Sequence, residues 1–89
     1  MRTFLVIICF LSLSTLSAQK SAKENTELAI KNYNLQDYDK TIGYCNEALK
    51  VDSNYVEAYI YRAVCKSIKN KDYERLIDLN KAILIDPNN

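Results

Sequence analysis

Few side chains in this sequence could do chemistry. The thiols are Cys9, inside an N-terminal apolar run, and Cys45 and Cys65 further on. There is no histidine, which removes the commonest general base and metal ligand. Two isolated cysteines fall short of the four ligands that a structural zinc site takes. They either pair as one disulfide, which an oxidising compartment permits, or sit in the core as small hydrophobes. Asp37 and Asp39 flank a turn, where acids cap a helix and stay solvated more readily than they act as an acid/base pair. The single glycine, Gly43, falls inside a helical stretch, so no glycine-rich phosphate loop can be built. These residues define no catalytic, cofactor or metal site, and the chemistry left is that of a surface.

Charge narrows the partner. Lys and Arg number 12 against 11 Asp and Glu, and Arg2 near the N-terminus accounts for the excess. A nucleic-acid binder draws much of its affinity from phosphate neutralisation by a basic excess. Lys66, Lys69 and Lys71 are interrupted by Ser67, Ile68 and Asn70 and followed by Asp72 and Glu74, the pattern of a solvated helix end. The expected partner is a protein or peptide, with no nucleic acid.

Residues 1–18 have the pattern of an address. Arg2 precedes the apolar run Phe4–Leu11, and the small-residue stretch Ser12–Ala18 follows, as in a secretory signal peptide. The run is shorter than the ~20 residues that span a bilayer. Cleavage near Ala18 is expected, leaving residues 19–21 as a short tail and the mature chain exported, periplasmic or secreted, with no stable membrane span. An uncleaved N-terminal anchor from Phe4 to about Leu16 is the alternative.

The remainder reads as helix. At 48% hydrophobic and 26% charged residues it has a globular composition rather than a disordered one, and its length allows one small domain. Shifted by 34 positions the chain matches itself: Ala29 meets Ala63, Asn46 meets Asn80, Ala48 meets Ala82, Asp52 meets Asp86 and Asn54 meets Asn88. A fixed period of this size marks stacked supersecondary units. Apolar spacing predicts helices over Ala22–Asn34, from Tyr38 to about Val51, over Val56–Ile68 and over Tyr73–Ile85. Asp37, Asn54 and Asp72 are the expected N-caps, Asn54 in a capping box with Glu57. Asp86-Pro87 stops the last helix. The expected fold class is all-α, two helix-turn-helix units over 22–55 and 56–89.

The segments Asn46–Asn54 and Asn80–Asn88 resemble the end of the second helix of a tetratricopeptide repeat. Asp37-Tyr38-Asp39 and Asp72-Tyr73-Glu74 look like its inter-helix turn, and Ala58-Tyr59, Arg62-Ala63 and Lys66 are similar to its first helix. The resemblance implies a right-handed α-solenoid fragment of two stacked antiparallel repeats. Ala29, Ala48, Ala63 and Ala82 would lie at close helix crossings, with Leu28, Ile42 and Leu49 filling the space between. Asn25, Asn32, Thr41 and Lys66 depart from the family's aromatic or alanine preferences. Matching Tyr73 to Tyr38 needs an offset of 35, so an extra residue is expected in the stretch Lys69–Asp72.

In such arrays the first helices line a concave groove that receives a peptide or helix. Carried over, that groove holds Thr26, Ile30, Tyr33, Ile60, Tyr61 and Val64; the other reading of these residues is scattered surface apolars or contacts to the N-terminal tail. Leu76, Leu79, Ile83 and Ile85 are more than the last helix can bury on one neighbour, and form an expected association flank. The function this implies is protein–protein interaction, as an adaptor or assembly helper. A self-associating or remnant repeat fragment with no ligand of its own is the alternative.

Overall fold

A computed structural model of the chain describes residues 19–88, and the expected leader over residues 1–18 lies outside them. The described residues are all-α: α1 (Ala22–Asn34), α2 (Tyr38–Val51), α3 (Val56–Ile68) and α4 (Asp72–Ile85). None of these helices is long and apolar enough to cross a membrane.

Side-chain caps start the first two helices. At α1 the Ser21 hydroxyl accepts from the Glu24 N–H at 3.0 Å while the Glu24 carboxylate accepts from the Ser21 N–H at 3.3 Å. This reciprocal box satisfies two otherwise orphaned donors. Asp37 caps α2 as expected, accepting from the Lys40 N–H at 3.2 Å. The other two expected caps are corrected. Tyr55 holds the N-cap of α3 without a side-chain bond, and the Asn54 N–H instead donates to Asp52 Oδ1 at 3.0 Å in a turn. Lys71 precedes α4 and Asp72 is its first residue, where an acid still complements the helix dipole.

The turns within the two hairpins, α1–α2 and α3–α4, share one hydrogen-bond plan. Gln36 and Asn70 take left-handed φ values of 63° and 61°, and each stands at the end of a helix. The N–H groups of Gln36 and Asp37 donate to the carbonyls of Tyr33 and Asn32; 34 positions on, Asn70 and Lys71 donate to Ser67 and Lys66. This crossed pair of bonds is the Schellman closure of a helix, and its length is fixed by the backbone. No extra residue therefore lies in the stretch Lys69–Asp72. Asp72 takes the place of Tyr38, and Tyr73 takes that of Asp39 and is 78% exposed.

The helices pack as hairpins, α1 on α2 and α3 on α4, with α3 also lying on α2 and α1. Ala22, Ala29, Cys45, Ala48 and Ala58 form one buried cluster, with Leu49, Tyr44, Tyr55 and Tyr61 packed at its margin. Ala63 and Ala82 are buried in the second hairpin. The alanines thus lie in the packed interior as expected, whereas Leu28, Ile42 and Leu49 are only half-buried. Helices separated by alanine approach closely, and longer side chains are pushed to the rim.

Polar residues inside this thin core are satisfied locally. The Thr41 hydroxyl lies 2.9 Å from the Asp37 carbonyl in its own helix and 3.2 Å from the Ala29 carbonyl of α1. Asn25 and Asn32 donate one turn back, to the Ser21 and Leu28 carbonyls. Gly43 is different: it is exposed within α2, and an added Cβ would meet nothing within 4 Å. Glycine weakens a helix interior by the backbone freedom it loses on folding. Gly43→Ala is therefore expected to raise stability by about 0.5–1 kcal/mol in urea unfolding.

Candidate partner-binding surfaces

α4 packs against α3 alone among the described helices, and a buried carboxylate lies in that contact. Asp78 is 1% exposed. Arg62 of α3 grips it with two parallel bonds, Nε to Oδ2 at 2.9 Å and Nη2 to Oδ1 at 2.7 Å. Lys66, one turn further along α3, places Nζ 3.1 Å from Oδ2. The free edge of the Arg62 guanidinium donates to Asn46 Oδ1 of α2 at 2.8 Å, and its plane lies 5.5 Å from the Tyr59 ring centroid. The bonds to Asp78 raise the Arg62 pKa, against the opposing effect of burial. With its lone pairs held by two cations, Asp78 is a tie between helices. Arg62 and Lys66 at i, i+4 carry the cationic half of this signal in the sequence, whereas nothing local marks Asp78 as their partner.

A second tie joins the hairpins at the surface. Lys69, just past α3, donates to Asp39 in the first turn of α2. This bond holds the Asp39 carboxyl below its ordinary pKa.

The expected groove residues divide between two places. Tyr33 of α1 meets Tyr61 of α3 edge to face at 5.6 Å and Tyr38 of α2 at 5.8 Å, an aromatic patch where the hairpins adjoin. Ile30 is half-buried. Thr26 is buried, its hydroxyl donating to the Ala22 carbonyl at 2.8 Å, so it lines no groove. Ile60 and Val64 lie beside α4. One hollow there is lined by Ile60, Leu79, Ala82, Ile83 and Asp86, and the next by Ala63, Val64, Ser67, Ile68, Arg75 and Leu79. The two hollows share Leu79 and lie side by side between α3 and α4.

Leu79 and Ile83 of the expected flank thus meet Ile60 and Val64 of the expected groove, whereas Leu76 and Ile85 line neither hollow. Leu76 and Ile83 are 49% and 56% exposed, while Leu79 and Ile85 are half-buried. The opposite edge of α4 exposes Ile77 and Leu84 as well, beyond what the apolar spacing singled out. Contiguous exposed apolar side chains of this kind mark interaction surfaces more often than scattered ones do.

Cys45 and Cys65 are both buried free thiols. Burial pushes Cys45 up to about 12, reinforced by the neighbouring Cys65. Burial likewise raises Cys65, opposed by the polar influence of the Thr41 hydroxyl. Among the described residues no cluster of His, Cys, Asp or Glu could hold a metal ion. Compared with known proteins, the chain matches no protein-family model and no curated protein.

Thiolate is the reactive form of cysteine, so both thiols should resist iodoacetamide at pH 8 in the folded chain and react in 6 M urea. Unfolding releases each thiol to its lower, ordinary pKa, so stability should also decline as pH rises past about 9. Rapid labelling of the folded chain would contradict the burial.

Proposed function

We propose that this chain is an exported protein of the tetratricopeptide-repeat type, two repeats of a right-handed α-solenoid, which holds another protein and performs no chemistry on it. The repeat reading is supported by turn hydrogen bonds that recur at an offset of 34 and by alanines in matching buried positions. Export rests on the charged start, apolar run and small-residue exit of residues 1–18. The observation that carries the binding role is the largely apolar surface between α3 and α4, where Val64 and Ile83 line hollows and are open to solvent, with Leu76 exposed on the same helix. A surface of this form suits an amphipathic helix. Its acceptor surface is built by helices held in place by alanine crossings and the Asp78 tie, so it is formed before the partner arrives.

The apolar side chains exposed on both edges of α4 also favour a second reading, a repeat fragment that associates with itself. Chemical crosslinking followed by affinity capture of the full-length chain from its native compartment separates the two. Recovery of a different protein in fixed ratio to the bait is the expected result. Recovery of the bait alone, with sedimentation showing a dimer at micromolar concentration, would favour self-association.

A further inference from the structure

Two bonds fix how α3 lies along α2. Lys69 reaches Asp39, and Arg62 Nη1 donates to Asn46 Oδ1 at 2.8 Å. Seven positions forward along α2, from Asp39 to Asn46, thus answer seven positions back along α3, from Lys69 to Arg62. The helices run antiparallel in a single register, which sets Cys45 opposite Ala63 and leaves Cys65 two residues out of step with it.

Both thiols belong to this contact, and both are fully buried. Cys45 shares the buried cluster with Ala58 of α3. Cys65 follows Ala58 by seven positions, two helical turns, on the face whose Tyr61 meets Tyr33 of the first hairpin. The pair is close enough for Cys65 to reinforce the upward shift of the Cys45 pKa.

Small side chains at the crossing, Ala48 and Ala58 among them, let the two helices approach closely. Cα atoms that face each other across such a crossing lie about 4–5 Å apart, since each stands ~2.3 Å from its helix axis and the axes are ~8–10 Å apart. Two residues of offset add about 3 Å along the axis. The Cα atoms of Cys45 and Cys65 then lie about 5–6 Å apart, within the ~4.4–6.8 Å over which a disulfide closes without moving the backbone.

We propose that Cys45 and Cys65 are a disulfide site, closed as the chain folds in an oxidising compartment, and that the bridge pins the two hairpins together across α2 and α3. The free thiols of the structure are the dithiol form of this site, and the labelling behaviour predicted for them belongs to that form. Burial shuts reagents out of the folded dithiol, so oxidation precedes closure of the helices. In the open chain the thiolate of one cysteine attacks a sulfur of an external disulfide and expels that disulfide's first thiolate. The second cysteine thiolate then attacks the mixed disulfide and expels the other half. Two protons leave the cysteines, and two electrons pass to the external disulfide, which ends as two thiols. Exported domains with thin cores are commonly stapled in this way. Closure in the cell rests on the export proposed above; the pairing geometry does not.

The full-length chain, reduced and unfolded in urea, is diluted into reduced and oxidised glutathione, trapped with N-ethylmaleimide and digested with trypsin without reduction. In material of single-chain mobility, mass spectrometry should find residues 41–50 joined to residues 63–66, a link distinct from any made by Cys9. The bridged chain should keep the helical circular dichroism of the reduced chain, and its unfolding equilibrium constant should fall about hundredfold. Cys45→Ala should make stability indifferent to the glutathione mixture. Cysteines left alkylated or carrying glutathione, links only to Cys9 or between chains, or a bridged form less stable than the reduced one would overturn the proposal. Alkylated thiols in chain taken from its native compartment, alongside a bridge in the refolded chain, would refute export while supporting the pairing.

Discussion

The carboxylate of Asp78 fixes how the last helix sits. Among the described helices α4 packs on α3 alone, and Ala63 of α3 and Ala82 of α4 are both buried. Small residues allow close approach but specify rotation weakly, since one alanine face resembles another. A buried carboxylate specifies it strongly. Turning α4 by one residue about its axis would take Asp78 away from Arg62 and Lys66 and leave three charges unpaired in or near the interior. Breaking such an arrangement is costly even where forming it gains little over an apolar alternative. Arg62 suits the task because its planar fork matches both carboxylate oxygens, and its remaining edge reaches Asn46 in the first hairpin. One guanidinium thereby joins α2, α3 and α4.

This tie also explains a departure from the resembled family. Lys66 stands where that family favours an aromatic, and its side chain is largely buried beside Asp78. The aliphatic stem fills space that a ring would take, while the ammonium neutralises the carboxylate. Asn25 and Asn32, at other such places, bond to carbonyls of their own helix. The aromatic volume is thus replaced by polar groups with local partners, and the core stays thin. A thin core leaves large apolar residues at the margins; on α2 they are covered by α3, and on α4 they face solvent.

Helix positions were largely legible because apolar spacing, the Asp37 cap and the Asp86-Pro87 stop all act locally. The Ser21–Glu24 box carries the Ser-x-x-Glu signature in plain sequence. Asn54 and Asp72 are good capping residues by type, yet the closures of the preceding segments set the N-caps at Tyr55 and Lys71 instead. The Tyr38–Tyr73 resemblance pointed to an insertion, whereas two identical backbone turns exclude one. Burial of Thr26 and the meeting of Arg62 with Asp78 depend on which faces of distant helices touch, and a single sequence leaves that open. The same limit applies to the groove: Ile60 and Val64 were assignable to a surface, but their junction with Leu79 and Ile83 follows only from how α4 is rotated.

That rotation is most directly tested by a double-mutant cycle joining Arg62→Gln and Asp78→Asn, read by urea unfolding of the full-length chain. If the buried pair sets the seat of α4, the two substitutions should couple by about 2 kcal/mol. Effects that add to within about 0.5 kcal/mol would mean that Arg62 and Asp78 do not meet as described, and that the groove beside them is shaped by something else.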